Sequence, residues 1–82
     1  MATDSKTVQG AFGEVLRQVR TSRDVSQQDL ALEAELDRTY ISLLERGQRQ
    51  PTLTTIIVLA RALDVDAADL VKQTTSLLSQ SN

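Results

Sequence analysis

Residues 26–47 read SQQDLALEAELDRTYISLLERG. Two short apolar runs at helical spacing lie in this stretch: Leu30, Ala31 and Ala34, then Ile41 and Leu44. Each run follows a residue whose side-chain oxygen can accept from the free amides of a first helical turn, Ser26 and Asp37. Asp29 adds negative charge near the start of the first run, where the helix dipole favours it. The spacing predicts helices over 27–34 and from Arg38 to about Arg46, with Gly47 placed to end the second. Leu36 is expected to pack in the turn between them. The close crossing of two such helices needs a small residue, and Ala31 supplies it. Ile41 pins the second helix to the core and leaves Arg38, Thr39 and Ser42 facing outward.

The flanks extend the same pattern. Residues 1–8 are polar and read as a disordered arm, so the folded domain is expected over 9–79. A helix over about 10–22 carries Phe12, Val15, Leu16 and Val19 on one face, and Arg17, Arg20 and Arg23 towards its C-terminal half. The loop Gln48-Arg49-Gln50-Pro51 leads to a helix over 53–63, capped by Thr52 or Thr54. Asp66 caps a last helix over 67–79, with Leu70, Val71, Thr74, Leu77 and Leu78 in a stripe. That stripe either closes the core or, through Leu70, Leu77 and Leu78, supplies a dimer interface. No segment reads as a strand, and the fold expected is all-α with five helices.

Composition limits the chemistry. The chain has 82 residues, which suits one small domain. It has no Cys and no His, which removes disulfides, thiolate nucleophiles, the usual structural zinc sites and the usual neutral-pH proton shuttle. No phosphate loop or paired-carboxylate site is present, so the chain reads as no enzyme, and nothing calls for a cofactor or a metal. No apolar run approaches the roughly 20 residues of a membrane span. The first residues lack an apolar signal region, and a cytoplasmic protein is expected. The net charge of -2 runs against nucleic-acid binding, but its distribution does not. From Arg38 to Arg61 there are four arginines (38, 46, 49 and 61) against one acid, Glu45. At physiological salt exposed charges act over about 8 Å, so the local balance matters more than the total.

Two short capped helices, a tight turn and a free outer face make a helix-turn-helix. Residues 26–47 resemble the lambda-repressor-like, or XRE, family of helix-turn-helix regulators. Ser26-Gln27, Leu30-Ala31, Ile41-Ser42, Glu45-Arg46-Gly47, Pro51, Leu59-Ala60 and Ala62-Leu63 all match at the family's spacing. The likeness runs from about Phe12 to Val71. Residues 37–42, DRTYIS, are similar to the small controller proteins of restriction–modification systems. One departure is Glu35, where the family places Gly in a left-handed turn; a non-Gly residue there costs on the order of 1 kcal/mol.

The resemblance implies a transcription regulator that binds a near-palindromic operator in double-stranded DNA as a homodimer, blocking or recruiting RNA polymerase. The alternative is a protein-interaction module such as an antitoxin or bridging factor. Arg38 and Thr39 would open the reading helix: Arg pairs with guanine O6 and N7, and the Thr methyl can meet a thymine methyl. Tyr40, Ser42 and Leu43 are further candidates for the DNA face, with half-burial the competing reading for Tyr40 and the core for Leu43. Gln27 would touch a phosphate or support a reading residue, and Arg46 and Arg49 would touch phosphates. In relatives, an Arg on the first helix pairs with the Glu that ends the reading helix; the matching residues are Arg20 and Glu45.

Overall fold

The computed structural model describes residues 4–80. Among the described residues five helices follow in order: α1 (Ser5–Ser22), α2 (Gln27–Ala34), α3 (Arg38–Glu45), α4 (Leu53–Leu63) and α5 (Ala67–Gln80). There is no strand among the described residues. Helix α1 packs on α3 and α5, α2 on α3 and α4, and α4 on α5. The shared interior is aliphatic apart from Phe12. Leu16, Leu30, Ile41, Leu44, Leu59 and Leu70 are all 0% exposed. No described helix is long and apolar enough to cross a membrane.

Local chemistry sets the helix starts. Ser26 Oγ accepts from the Asp29 amide, Asp37 Oδ1 from Thr39 and Thr52 Oγ1 from Thr55, which occupies one free donor at the start of each helix. Helix α1 begins earlier than the composition suggests. Asp4 Oδ1 accepts from the Thr7 amide at 2.7 Å, so the helix starts at Ser5 rather than near residue 10. Residues 5–8 are therefore its first turn and not part of an arm; residues 1–3 of the expected arm lie outside the described residues.

Four helices end in one way. Asp24, Glu35, Gly47 and Asp64 adopt left-handed backbone, with φ of 61, 57, 72 and 57°. In each case the next amide reaches back to a carbonyl five residues earlier: Val25 to Arg20, Leu36 to Ala31, Gln48 to Leu43 and Val65 to Ala60. This closure satisfies a terminal carbonyl, and an apolar residue after it packs back on the helix. Val25, Leu36 and Val65 do so against the core. Only one of the four left-handed positions is glycine.

The α5 stripe divides. Leu70 is 0% exposed inside the monomer, so it cannot form the dimer face its spacing allowed. Leu77 is half-buried against the core. Leu78 is half-buried and lines an apolar groove with Val8, Phe12, Pro51, Ile56 and Val71. Large apolar side chains are exposed elsewhere: Leu53 (71%) and Ile57 on α4, Val71 on α5 and Leu32 on α2.

Glu35→Gly is expected to stabilise the fold by on the order of 1 kcal/mol, read as a higher denaturation midpoint with an unchanged m-value. A neutral or lower midpoint would show that the Glu35 turn carries no strain. Asp4 accepts hydrogen bonds from Thr7, which hold its carboxyl below the usual carboxylate range. A lowered folded-state value gives stability that is present above the unfolded value and is lost as pH falls through the carboxylate range. Hydrogen exchange in the first turn of α1 is therefore expected to become more protected between pH 3 and pH 6, after correction for intrinsic rates, and Asp4→Ala is expected to remove that dependence.

Candidate nucleic-acid interface

Helix α3 has eight residues and two buried ones, Ile41 and Leu44. They lie three apart on one side and fix which residues face away. Arg38 and Thr39 are exposed, Ser42 and Leu43 half-exposed, and Arg46 exposed at the C-terminal cap. Tyr40 is half-buried and packs on the core. Arg38, Thr39, Ser42, Arg46 and, from α2, Gln27 line one shallow concavity. Arg49 is exposed in the loop before α4, and its guanidinium donates to the Gln48 carbonyl at 3.1 Å. The face combines three arginines, two hydroxyls and an amide, with no exposed carboxylate lining the concavity. Such a set can neutralise phosphates and donate to acceptors on base edges.

The orientation of this face depends on one carboxylate. Glu45 ends α3, and its side chain is 4% exposed. Arg20 donates to it twice, from Nε to Oε2 at 2.6 Å and from Nη2 to Oε1 at 3.0 Å. Its remaining nitrogen, Nη1, donates to the Val25 carbonyl at 2.8 Å in the turn between α1 and α2. The pair is a bidentate fork, the strong arrangement of Arg with carboxylate. Gln27 Nε2 adds a third donor to Glu45, at 2.9 Å from Oε1. The end of α1, the start of α2 and the end of α3 thus meet at one point. The resemblance implies a phosphate contact or a supporting role for Gln27; in the free protein its amide donates to Glu45.

Sequence reasoning missed a second positioning element. A Cβ built on Gly13 would overlap the Leu44 carbonyl oxygen and come within 2.8 Å of the Glu45 carbonyl oxygen. Residue 13 must therefore lack a side chain for α1 to lie on the end of α3. At Gly47 a Cβ would sit 2.9 Å from Gly10 Cα, and φ is +72°. The sequence signal was present as Gly10 and Gly13, three apart within a helical pattern, where glycine otherwise costs about 1 kcal/mol.

Glu45→Ala leaves the Arg20 charge without its carboxylate in a site where the Arg side chain is only 12% exposed. The expected cost is about 3–5 kcal/mol, a large share of the roughly 4–12 kcal/mol available to a domain of this size. Unchanged thermal unfolding in Glu45→Ala would refute that account.

The helix-turn-helix family profile matches residues 16–70. The control protein C.BamHI of Bacillus amyloliquefaciens is 46% identical over 65 residues, which cover 78% of this chain and 80% of that protein. The crystal structure of the restriction–modification controller protein C.AhdI from Aeromonas hydrophila is similar with a TM-score of 0.74 and 44% identity, covering 76% of this chain and 94% of that one. The controller protein C.Esp1396I, solved as a tetramer with its natural 35 base-pair operator, gives a TM-score of 0.77 at 28% identity, covering 84% and 91% of the respective chains. With its five helices and its capped pair α2–α3, the chain belongs to the lambda-repressor-like helix-turn-helix family of transcriptional regulators.

Proposed function

We propose that the chain is a controller of a restriction–modification system that binds its operator through the outer face of α3. The observation that carries this reading is the division of α3: Ile41 and Leu44 are 0% exposed, while Arg38 and Thr39 on the same helix are exposed. Arg38 and Thr39 then read base edges in the major groove, with Ser42 allowing close approach and Leu43 at the border of the face. Tyr40 lies half-buried at the inner edge and contacts the backbone through its hydroxyl. Arg46 and Arg49 supply phosphate contacts that add affinity without sequence information. The likeness to C.BamHI and C.AhdI supports the restriction–modification assignment.

Binding as a homodimer presents two α3 helices about 34 Å apart, one turn of DNA, and matches a near-palindromic site. With Leu70 buried, pairing falls to the exposed apolar side chains of α4 and α5, Leu53, Ile57 and Val71, beside the groove edged by Leu78. Leu77 contributes from the half-buried side of α5. Occupancy of such a site governs access of RNA polymerase to the promoter, in the cytoplasm.

DNA upstream of the chain's own gene, or sites selected from a random pool, tests this. Arg38→Ala is expected to lower operator affinity by about 1–3 kcal/mol and to leave random-duplex affinity nearly unchanged. Arg49→Ala is expected to weaken both alike and to reduce the salt slope by about one. Equal losses on operator and random duplex in Arg38→Ala would refute the base-reading role. A protein that shifts no duplex at low salt would refute DNA binding itself.

A further inference from the structure

We propose that Leu43 is a specificity-determining residue that takes the C5-methyl group of a pyrimidine, so that operator affinity responds to cytosine methylation as well as to thymine. This deepens the reading of α3 as the DNA-contacting helix and rests on it. Leu43 is the one large aliphatic side chain of α3 outside the buried pair Ile41 and Leu44, and it is half-exposed. At about 100° per residue it points about 130° away from the mean direction of that pair and about 40° from Thr39. A leucine on a helix lies back over the preceding turn, which directs it towards the methyl of Thr39, four positions earlier. The Gln48 amide donates to the Leu43 carbonyl at 2.9 Å, in the closure at Gly47, and so fixes the backbone that carries this side chain.

The outer face of α3 thus has two edges of different chemistry. Arg38, Thr39, Ser42 and Arg46 line the polar concavity with Gln27. Leu43 lies beside it and brings no hydrogen-bonding group to the DNA. Set against a phosphate, or against a donor or acceptor on a base edge, an apolar side chain strips water from a polar group and returns no bond. The major groove offers one apolar feature that suits it, the methyl on C5 of thymine. Cytosine carries a hydrogen at the same ring position, and methylation of that carbon makes the two pyrimidines alike there. Leucine has no means of telling a thymine methyl from that of 5-methylcytosine. Contact with either takes apolar surface out of water, which favours the methylated base over its unmethylated counterpart by about fourfold per methyl.

Sites selected from a random pool supply the operator, and bases are replaced singly in one half-site. Deoxyuridine in place of thymidine removes only the methyl. At one thymine the wild-type Kd is expected to rise about fourfold on this change. Leu43→Ala is expected to show no rise there, and Thr39→Ser, which keeps its hydroxyl and loses its own methyl, is expected to retain it. Leu43→Gln keeps the reach of the side chain, ends it in an amide and is a second variant expected to lose the effect. Exchanging the same pair for C·G and for 5-methylcytosine·G separates the two sources of the methyl. Wild type is expected to bind the methylated cytosine about fourfold more tightly than the plain one, and Leu43→Ala to bind both alike. No response to deoxyuridine at any thymine, or equal responses in wild type and both Leu43 variants, overturns the proposal. A response at thymine with none at cytosine overturns its extension to methylated cytosine. A wild type with no preference for its operator refutes the α3 reading itself, whereas operator preference without a Leu43-dependent methyl effect overturns this inference alone.

Discussion

The carboxylate of Glu45 is the junction on which the DNA-facing arrangement depends. It takes two hydrogen bonds from Arg20 and one from Gln27 while almost wholly shielded from solvent. A buried carboxylate is tolerated only when its charge is paired and its oxygens are satisfied. Here the pairing draws three separate elements together, so the electrostatic requirement of one group becomes a geometric requirement on three helices. The apolar core fixes the neighbourhood of α3, through Ile41 and Leu44, but core side chains alone allow a short helix to roll or slide. A bidentate fork at its C-terminal end restrains both motions.

The rest of the fold supports this point at low cost. Short helices are poor structures alone, and α2 and α3 have eight residues each. Caps at Ser26 and Asp37 and the backward closures at Glu35 and Gly47 satisfy their free ends. Three of the four left-handed closures use Asp or Glu where glycine would relax the backbone. The chain therefore holds a modest amount of unclaimed stability in its turns, at positions away from the concavity lined by Arg38 and Thr39.

Much of this was legible in the sequence because it is local. Caps at Ser26 and Asp37 and the inward turn of Ile41 and Leu44 each depend on residues within a few positions of one another, and the left-handed strain at Glu35 was implied by the family resemblance. The start of α1 was legible in principle, since Asp4 is a good cap, but the polar residues after it have no apolar periodicity and concealed a real helical turn. Leu70 was ambiguous for a different reason. A stripe shows that a face is apolar, and only the packing of α4 and α1 against α5 decides what covers it. The contacts that matter most at the site were the least visible. Gln27 reaches a carboxylate eighteen positions away and Gly13 meets carbonyls more than thirty positions away, and neither residue type announces its partner.

The contact at Gly13 differs in kind from the ion pair beside it. Arg20 and Glu45 are side chains, and a change in one has a conceivable answer in the other. Gly13 faces main-chain oxygens of α3, which every amino acid carries alike. No second substitution at 44 or 45 can make room for a methyl group at 13. Among descendants of this chain the ion pair can drift as a couple, whereas position 13 has no partner to drift with. Libraries built to change the DNA preference of α3 can randomise its outer surface freely, but they inherit this glycine as a fixed term.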